Sequence, residues 1–238
     1  AAEWAVVHAK TEEEPKFSHD YDLEYRFVPR EESFRDFAED LRGASVRGER
    51  VRIRIRGLEL EESRFSVGGR PIAAAFYDLV LTLASAPSAA IVLPRMESYL
   101  EARFWAEVVR DVEMSLGFPR GSVRVEAEVA TVGGLAEAEE ILFELKDAVG
   151  ALSFDPRLLG IDLLKQESSA PAIPSRHAIS DPWRNPETAS AFEALWKVAA
   201  RRGVRLHSRS PRAQSEGDAV ESRPLSIDAL REQVLCCF

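Results

Sequence analysis

The sequence has few of the residues from which several common classes of site are built. Only two of its 238 residues are cysteines, the adjacent Cys236 and Cys237, which make a poor disulfide and lack the spacing of a metal site. We therefore expect a reducing compartment, either the cytoplasm or an organelle matrix (mitochondrial or peroxisomal). Basic residues are also scarce relative to acidic ones, 31 against 40. Phosphate neutralisation needs clustered Lys and Arg, so nucleic acid and anionic membranes are not expected partners.

Long hydrophobic runs are missing as well. No stretch reaches the roughly 18 apolar residues that a membrane span needs, so we do not expect membrane insertion, and no signal-peptide pattern is recognisable. The chain starts at Ala1 without a methionine, so we expect that a leader or a larger N-terminal part has been removed. The hydrophobic content is 45%, enough to bury a substantial core, and a folded α/β domain is expected.

Strands and helices alternate along most of the chain. The stretch "ERVRIRIRG" (49–57) alternates Val and Ile with Arg, as a strand does. Further strands are predicted near 21–28 and in "AAIVLP" and "GVRLHS", and an apolar segment "RLLGIDLLK" lies at 157–165. The predicted helices cover 71–84, 97–116, 135–149 and 186–202. This alternation is typical of β/α units around a mainly parallel sheet. About six strands can be counted, whereas a closed β/α barrel needs eight, so the barrel is incomplete unless the chain ends contribute.

The composition divides the chain into four regions. We predict an N-terminal extension with a short strand and a helix (1–48), a β/α barrel (49–207), a flexible linker without periodicity (208–224) and a C-terminal helix (225–238). Ser226 is a suitable N-cap for that last helix.

One strand carries charge where a buried strand should be apolar. In "VRVEAEVAT" (123–131), valine and alanine occupy one face, and the other face presents Arg124, Glu126, Glu128 and Ala130. Either this second face meets solvent, or it lines the inside of a barrel and directs two carboxylates towards a site.

The stretch "VLPRMESYLEARFW" (92–105) resembles the Leu-Pro-Lys-Met-Glu-Ser run of malate synthases. Four other segments resemble malate synthase in the same order: "RIRGLEL", "GFPRGSVR", "EEILFELKD" and "WKVAARRGVRLHS". The resemblance implies a TIM-type (β/α) barrel of malate synthase type. It also implies the chemistry of that family, which condenses acetyl-CoA with glyoxylate at a magnesium ion.

When the functional residues of malate synthases are placed on this sequence by the resemblance, one of them is retained and others are replaced. Arg54 falls on the glyoxylate-binding arginine, with Arg56 beside it on the same predicted strand. The two metal-binding carboxylates fall on Ala130 and Leu158, whose side chains cannot coordinate a cation. The family's catalytic aspartate belongs to a C-terminal helical domain that is not recognisable in this sequence.

Three interpretations of Glu126 and Glu128 remain open. They form internal ion pairs with Arg124, or with Arg54 and Arg56; or Glu128 and Asp155, with Asp162 as another choice, form a relocated magnesium site; or this face meets water or a partner chain. The first interpretation favours a noncatalytic descendant with a structural or interaction role, such as one subunit of a larger assembly, with no cofactor. The second favours an active acyltransferase or carbon–carbon lyase that uses acetyl-CoA, glyoxylate and magnesium.

Overall fold

The computed structural model describes residues 2–8, 23–29, 34–48, 50–167 and 186–208. The strands are β1 (Ala2–His8), β2 (Leu23–Pro29), β3 (Val51–Arg54), β4 (Glu61–Val67), β5 (Arg70–Ala73), β6 (Ala90–Leu93), β7 (Arg124–Val129), β8 (Val149–Phe154) and β9 (Arg205–Ser208). The helices are α1 (Phe34–Val46), α2 (Ala74–Ser85), α3 (Tyr99–Leu116), α4 (Val132–Ala136), α5 (Ala138–Glu144), α6 (Pro156–Glu167) and α7 (Pro186–Arg202).

Seven of these strands form one sheet in the order β1-β2-β3-β6-β7-β8-β9. Only β1 is antiparallel to its neighbour, and every other pair in this sheet is parallel. β4 and β5 form a separate antiparallel hairpin. The parallel strands with their connecting helices make a half-barrel, which confirms the prediction of an incomplete TIM-type barrel. Within the described ranges, no helix is long and apolar enough to cross a membrane.

The hydrophobic core lies between the sheet and the helices. Alternate strand residues, such as Ile53, Ile91 and Val125, point outwards and are buried with Trp105 of α3 in one cluster. Because side chains alternate along a strand, the residues between them point to the opposite face, the barrel interior. The charged face of 123–131 is therefore an interior face.

Several predicted elements are confirmed, among them the strand near 21–28, the long helix that begins near residue 97 and the helix over 186–202. Three differ. The helix expected over 135–149 is two short helices, α4 and α5, and ends before β8 begins. The segment "RLLGIDLLK" lies in helix α6. The helix expected from residue 71 begins at Ala74, because residues 70–73 pair with β4. β1 and β2 of the predicted extension join the same sheet as β3. The predicted linker beyond Ser208 and the C-terminal helix lie outside the described residues.

A close backbone approach fixes the turn between β7 and α4. The Thr131 side chain accepts a hydrogen bond from the Gly134 amide at 3.1 Å and caps α4. A Cβ atom at Gly134 would lie 2.2 Å from the Met96 carbonyl oxygen. Glycine is therefore required where this turn contacts the loop between β6 and α3.

Replacing Gly134 should disturb that contact. We expect Gly134→Ala to lower the free energy of unfolding by about 1–3 kcal/mol, because the added methyl group overlaps a backbone carbonyl. Gly150→Ala is the matched control, since its Cβ would meet no atom closer than 4.0 Å. Urea unfolding measures both variants, and an equal effect of the two substitutions would contradict the steric account.

Candidate functional site at the barrel interior

Two arginines of β3 and two glutamates of β7 share the interior face of the sheet. β6 lies between these strands, and Arg54, Val92 and Glu126 are level with one another in the register. Each arginine reaches across β6 to the glutamate two residues further along β7, so that Arg52 pairs with Glu126 and Arg54 with Glu128. The small side chains that β6 places on this face, Ala90 and Val92, leave room for the crossing.

The first pair is buried and includes a histidine. The Arg52 guanidinium donates to Glu126 through Nε at 3.0 Å and also through Nη2. His207 Nδ1 of β9 lies 2.8 Å from Glu126 Oε2. Burial opposes the ionisation of Glu126, but the charge of Arg52 and the His207 hydrogen bond outweigh it and hold the pKa of Glu126 well below its usual range. Glu126 is therefore an ionised carboxylate inside the barrel.

The second pair also holds a loop. Arg54 donates to Glu128 through Nε, 3.1 Å from both carboxylate oxygens, and through Nη2 at 2.6 Å. The Arg95 amide donates to the same carboxylate at 3.1 Å, and the Met96 amide donates to the Glu128 carbonyl oxygen at 2.8 Å. Arg95 has a positive φ of 51°, which is unusual for a residue other than glycine. Glu128 thus fixes the loop between β6 and α3 in a constrained conformation.

Arg56, predicted to accompany Arg54, lies just beyond the end of β3 in a separate buried cluster. Its guanidinium donates to Asp78 of α2 at 2.6 Å and to Glu62 of β4 at 3.0 Å. Burial raises the pKa of Asp78 to about 6, although Arg56 favours its ionised form. The hydrogen bond from Arg64 is the main cause that lowers the pKa of Glu62 to about 2. This cluster attaches the β4–β5 hairpin to the barrel.

The residues predicted around a metal have other contacts in this fold. Ala130 is buried at the end of β7, and Leu158 lies on α6. The Asp155 carboxylate accepts from the Arg157 and Leu158 amides at 3.0 and 3.1 Å, as an N-terminal cap of α6 does. Asp162 accepts from the Val132 amide at 2.9 Å. Over the part of the chain that the structure describes, no group of three or more potential ligands is suited to a metal. The relocated site at Glu128 and Asp155 stays a prediction.

Sequence reasoning did not identify Arg52 and His207 as partners of Glu126. Both carry a detectable signal, because each sits on the charged or polar side of a short alternating strand. The alternation does not indicate which strands lie next to each other in the sheet.

The comparisons with known proteins agree with this architecture. The family model described as the TIM barrel domain of malate synthase matches residues 50–205. The chain belongs to the malate synthase family. Malate synthase from Myxococcus xanthus is 32% identical over 109 residues, covering 42% of this chain and 20% of that protein. The enzyme from Streptomyces clavuligerus is 31% identical over 115 residues, covering 47% and 21%. This malate synthase barrel thus spans about a fifth of the length of these relatives.

Solved structures with some likeness to this malate synthase barrel are more distant. RipC from Yersinia pestis aligns with a TM-score of 0.46 at 17% identity, covering 78% of this chain and 67% of that one. The citrate lyase beta subunit from Mycobacterium tuberculosis aligns with a TM-score of 0.40 at 19% identity, covering 66% and 54%.

The buried pair around Glu126 should be essential to stability. We expect Glu126→Ala to lower the free energy of unfolding by about 3–5 kcal/mol, because a buried guanidinium loses its carboxylate. Glu193→Ala removes an exposed ion pair with Lys197 and is the control, with an expected loss below about 1 kcal/mol. Denaturant unfolding compares them, and a small effect at Glu126 would contradict the buried ion pair.

The cluster around Glu62 predicts a loss of stability in acid. The pKa of Glu62 is lowered to about 2, below its unfolded value, so its contribution is complete above pH 5 and lost as the pH falls to 2. This loss is on the order of 3 kcal/mol. We expect Glu62→Gln to remove that part of the pH dependence, whereas Glu61→Gln, on the exposed side of β4, should leave it unchanged.

Stability measured by urea unfolding between pH 7 and 2 tests this expectation. The raised pKa of Asp78 acts in the opposite direction between about pH 6 and 4, so each variant must be compared with the wild type across the whole range. Identical profiles for Glu62→Gln and the wild type would show that Glu62 does not carry the effect.

Proposed function

We propose that this protein is a noncatalytic malate-synthase-like barrel with a structural or interaction role. The observation that carries the proposal is the engagement of Arg54 by Glu128. By resemblance Arg54 is the arginine that would bind the glyoxylate carboxylate. In this chain its Nε and Nη2 donors already hold a carboxylate of the protein itself.

Binding of glyoxylate at Arg54 would be opposed by the free energy needed to break the Arg54–Glu128 ion pair. A glyoxylate carboxylate bound at the Nε–Nη2 edge of the Arg54 guanidinium would compete with Glu128 for the same donors. Displacing Glu128, whose side chain is only 1% exposed, would leave a buried carboxylate without its guanidinium partner. It would also remove the acceptor of the Arg95 amide. The Arg54–Glu128 pair therefore supports a role that does not include glyoxylate binding.

The positions of the family's metal ligands also argue against catalysis in this chain. Magnesium prefers an octahedron of oxygen ligands, commonly including one or two carboxylates. The positions of the family's ligands hold a methyl group at Ala130 and an isobutyl group at Leu158. The residues present do not fit the ion at those positions, which supports the noncatalytic proposal and leaves the relocated site as its competitor.

The competing proposal is an active enzyme that condenses acetyl-CoA with glyoxylate at magnesium held by Glu128 and Asp155. The side chain of Arg54 is 22% exposed, so one face of the Arg54–Glu128 pair is accessible to a ligand. This accessibility supports the competing proposal. The alternative requires the Glu128 carboxylate to lose its contact with Arg54 and bind the metal. It also requires the Asp155 carboxylate to lose its hydrogen bonds at the N-terminus of α6.

Calorimetry with magnesium or manganese, with and without glyoxylate, separates the two proposals. We expect no binding heat and no thermal stabilisation of the 238-residue chain at millimolar metal. No malate should form from acetyl-CoA and glyoxylate above background.

Binding of metal by the wild type would contradict the noncatalytic proposal. If that binding disappears in Glu128→Gln, while the exposed control Glu61→Gln retains it, the relocated magnesium site is correct. Binding that survives Glu128→Gln would place the metal elsewhere.

A further inference from the structure

The Glu128 carboxylate lies where hydrogen-bond donors from two other parts of the fold converge. The Arg54 guanidinium donates to it through Nε, 3.1 Å from both oxygens, and through Nη2 at 2.6 Å. The backbone amide of Arg95 donates to Oε2 at 3.1 Å. We call these donors, Arg54 Nε and Nη2 and the Arg95 amide, the carboxylate cradle. A guanidinium fork combined with a backbone amide is an arrangement that binds oxyanions in general.

The loop that carries the Arg95 amide is also held by contacts that do not involve the Glu128 side chain. The Met96 amide donates to the backbone carbonyl of Glu128 at 2.8 Å, and any residue at position 128 supplies that carbonyl. The Met96 carbonyl oxygen is in close contact with Gly134 of α4. Arg95 itself has a φ of 51°, which a residue other than glycine keeps only where its surroundings impose it. The Arg95 amide therefore stays directed into the cradle when the carboxylate is removed.

Part of the cradle is accessible to solvent. The side chain of Arg54 is 22% exposed and that of Arg95 54%, although the Glu128 side chain between them is only 1% exposed. Two residues further along β7, the same face carries only the methyl group of Ala130. The cradle lies at the carboxyl ends of β3, β6 and β7, the edge at which TIM-type barrels bind their ligands. A small ligand can therefore reach the position of the carboxylate once the Glu128 side chain is absent.

We infer that Glu128 is an intramolecular ligand of this cradle, which it fills in place of a small free monocarboxylate. The inference rests on the noncatalytic proposal, because it takes Arg54 and not a metal as the native partner of Glu128. A carboxylate fixed on a nearby strand has an effective concentration at its partner above the millimolar values that flexible linkers give. Free carboxylates at millimolar concentration therefore do not displace it, and Glu128 keeps the wild-type cradle closed.

Acetate is the ligand whose size matches the closed cradle. Replacing Glu128 by alanine removes Cγ, Cδ and both carboxylate oxygens, which are the heavy atoms of an acetate ion. Formate is smaller and fits the same volume. Either ion restores a negative charge beside the Arg54 guanidinium, which is otherwise left without its carboxylate.

Thermal unfolding of the full 238-residue chain tests the cradle, with sodium acetate or formate compared with sodium chloride at the same ionic strength and pH 7. We expect about 100 mM acetate to raise the Tm of Glu128→Ala by roughly 3–6 °C over chloride, in a saturable way, and to leave the wild-type Tm unchanged. Glu128→Gln, whose amide fills the same volume, should respond no more than the wild type. The double variant Arg54→Met with Glu128→Ala lacks the guanidinium and should not respond either.

If Glu128→Ala does not fold in chloride, acetate should restore its folded circular dichroism spectrum, and Glu128→Ser serves as a second variant. The absence of any acetate or formate effect on both variants would overturn the inference, as would an equal effect on the Arg54→Met double variant. These outcomes are separable from the test of the proposed function. A wild type that binds no metal and forms no malate, combined with variants that ignore acetate and formate, would overturn the cradle alone.

Discussion

The arginine–glutamate pairs that cross β6 are the interaction on which the interior of this half-barrel depends. Four charged groups occupy one face of the sheet, and a charge in that position is tolerated only when it is paired and hydrogen-bonded. The pairing requires arginines on β3, small residues on β6 and glutamates two residues ahead on β7. The same carboxylate of Glu128 fixes the loop after β6. The interior is thus filled by charges that neutralise one another.

Much of the fold is predictable because the strongest patterns are long and regular. The alternation of "VRIRIR" predicts β3, and the 3.6-residue spacing of apolar residues predicts α3 and α7. β8 was missed because "VGALSF" follows α5 without a glycine or proline boundary that separates strand from helix. The β4–β5 hairpin was missed because β4 is exposed on most of its length and so lacks an apolar face, although Gly68 and Gly69 indicate its turn.

The candidate site was predictable in its residue types and only partly in its contacts. A period of two places Glu126 and Glu128 on one face, and Arg54 was among the partners expected for them. The sequence does not indicate the order of the strands in the sheet or the two-residue offset between paired side chains. Both determine that Arg52 and His207 contact Glu126. Arg56 was expected beside Arg54, but β3 ends at Arg54 and Arg56 is hydrogen-bonded to Asp78 of α2 instead.

The noncatalytic proposal depends on the pairing of Glu128 with Arg54. A double-mutant cycle measures this directly, with urea unfolding of the wild type, Arg54→Met, Glu128→Gln and the double variant. We expect a favourable coupling energy of about 1–3 kcal/mol that millimolar magnesium leaves unchanged. A coupling energy near zero, together with a magnesium-dependent stabilisation that Glu128→Gln abolishes, would contradict it.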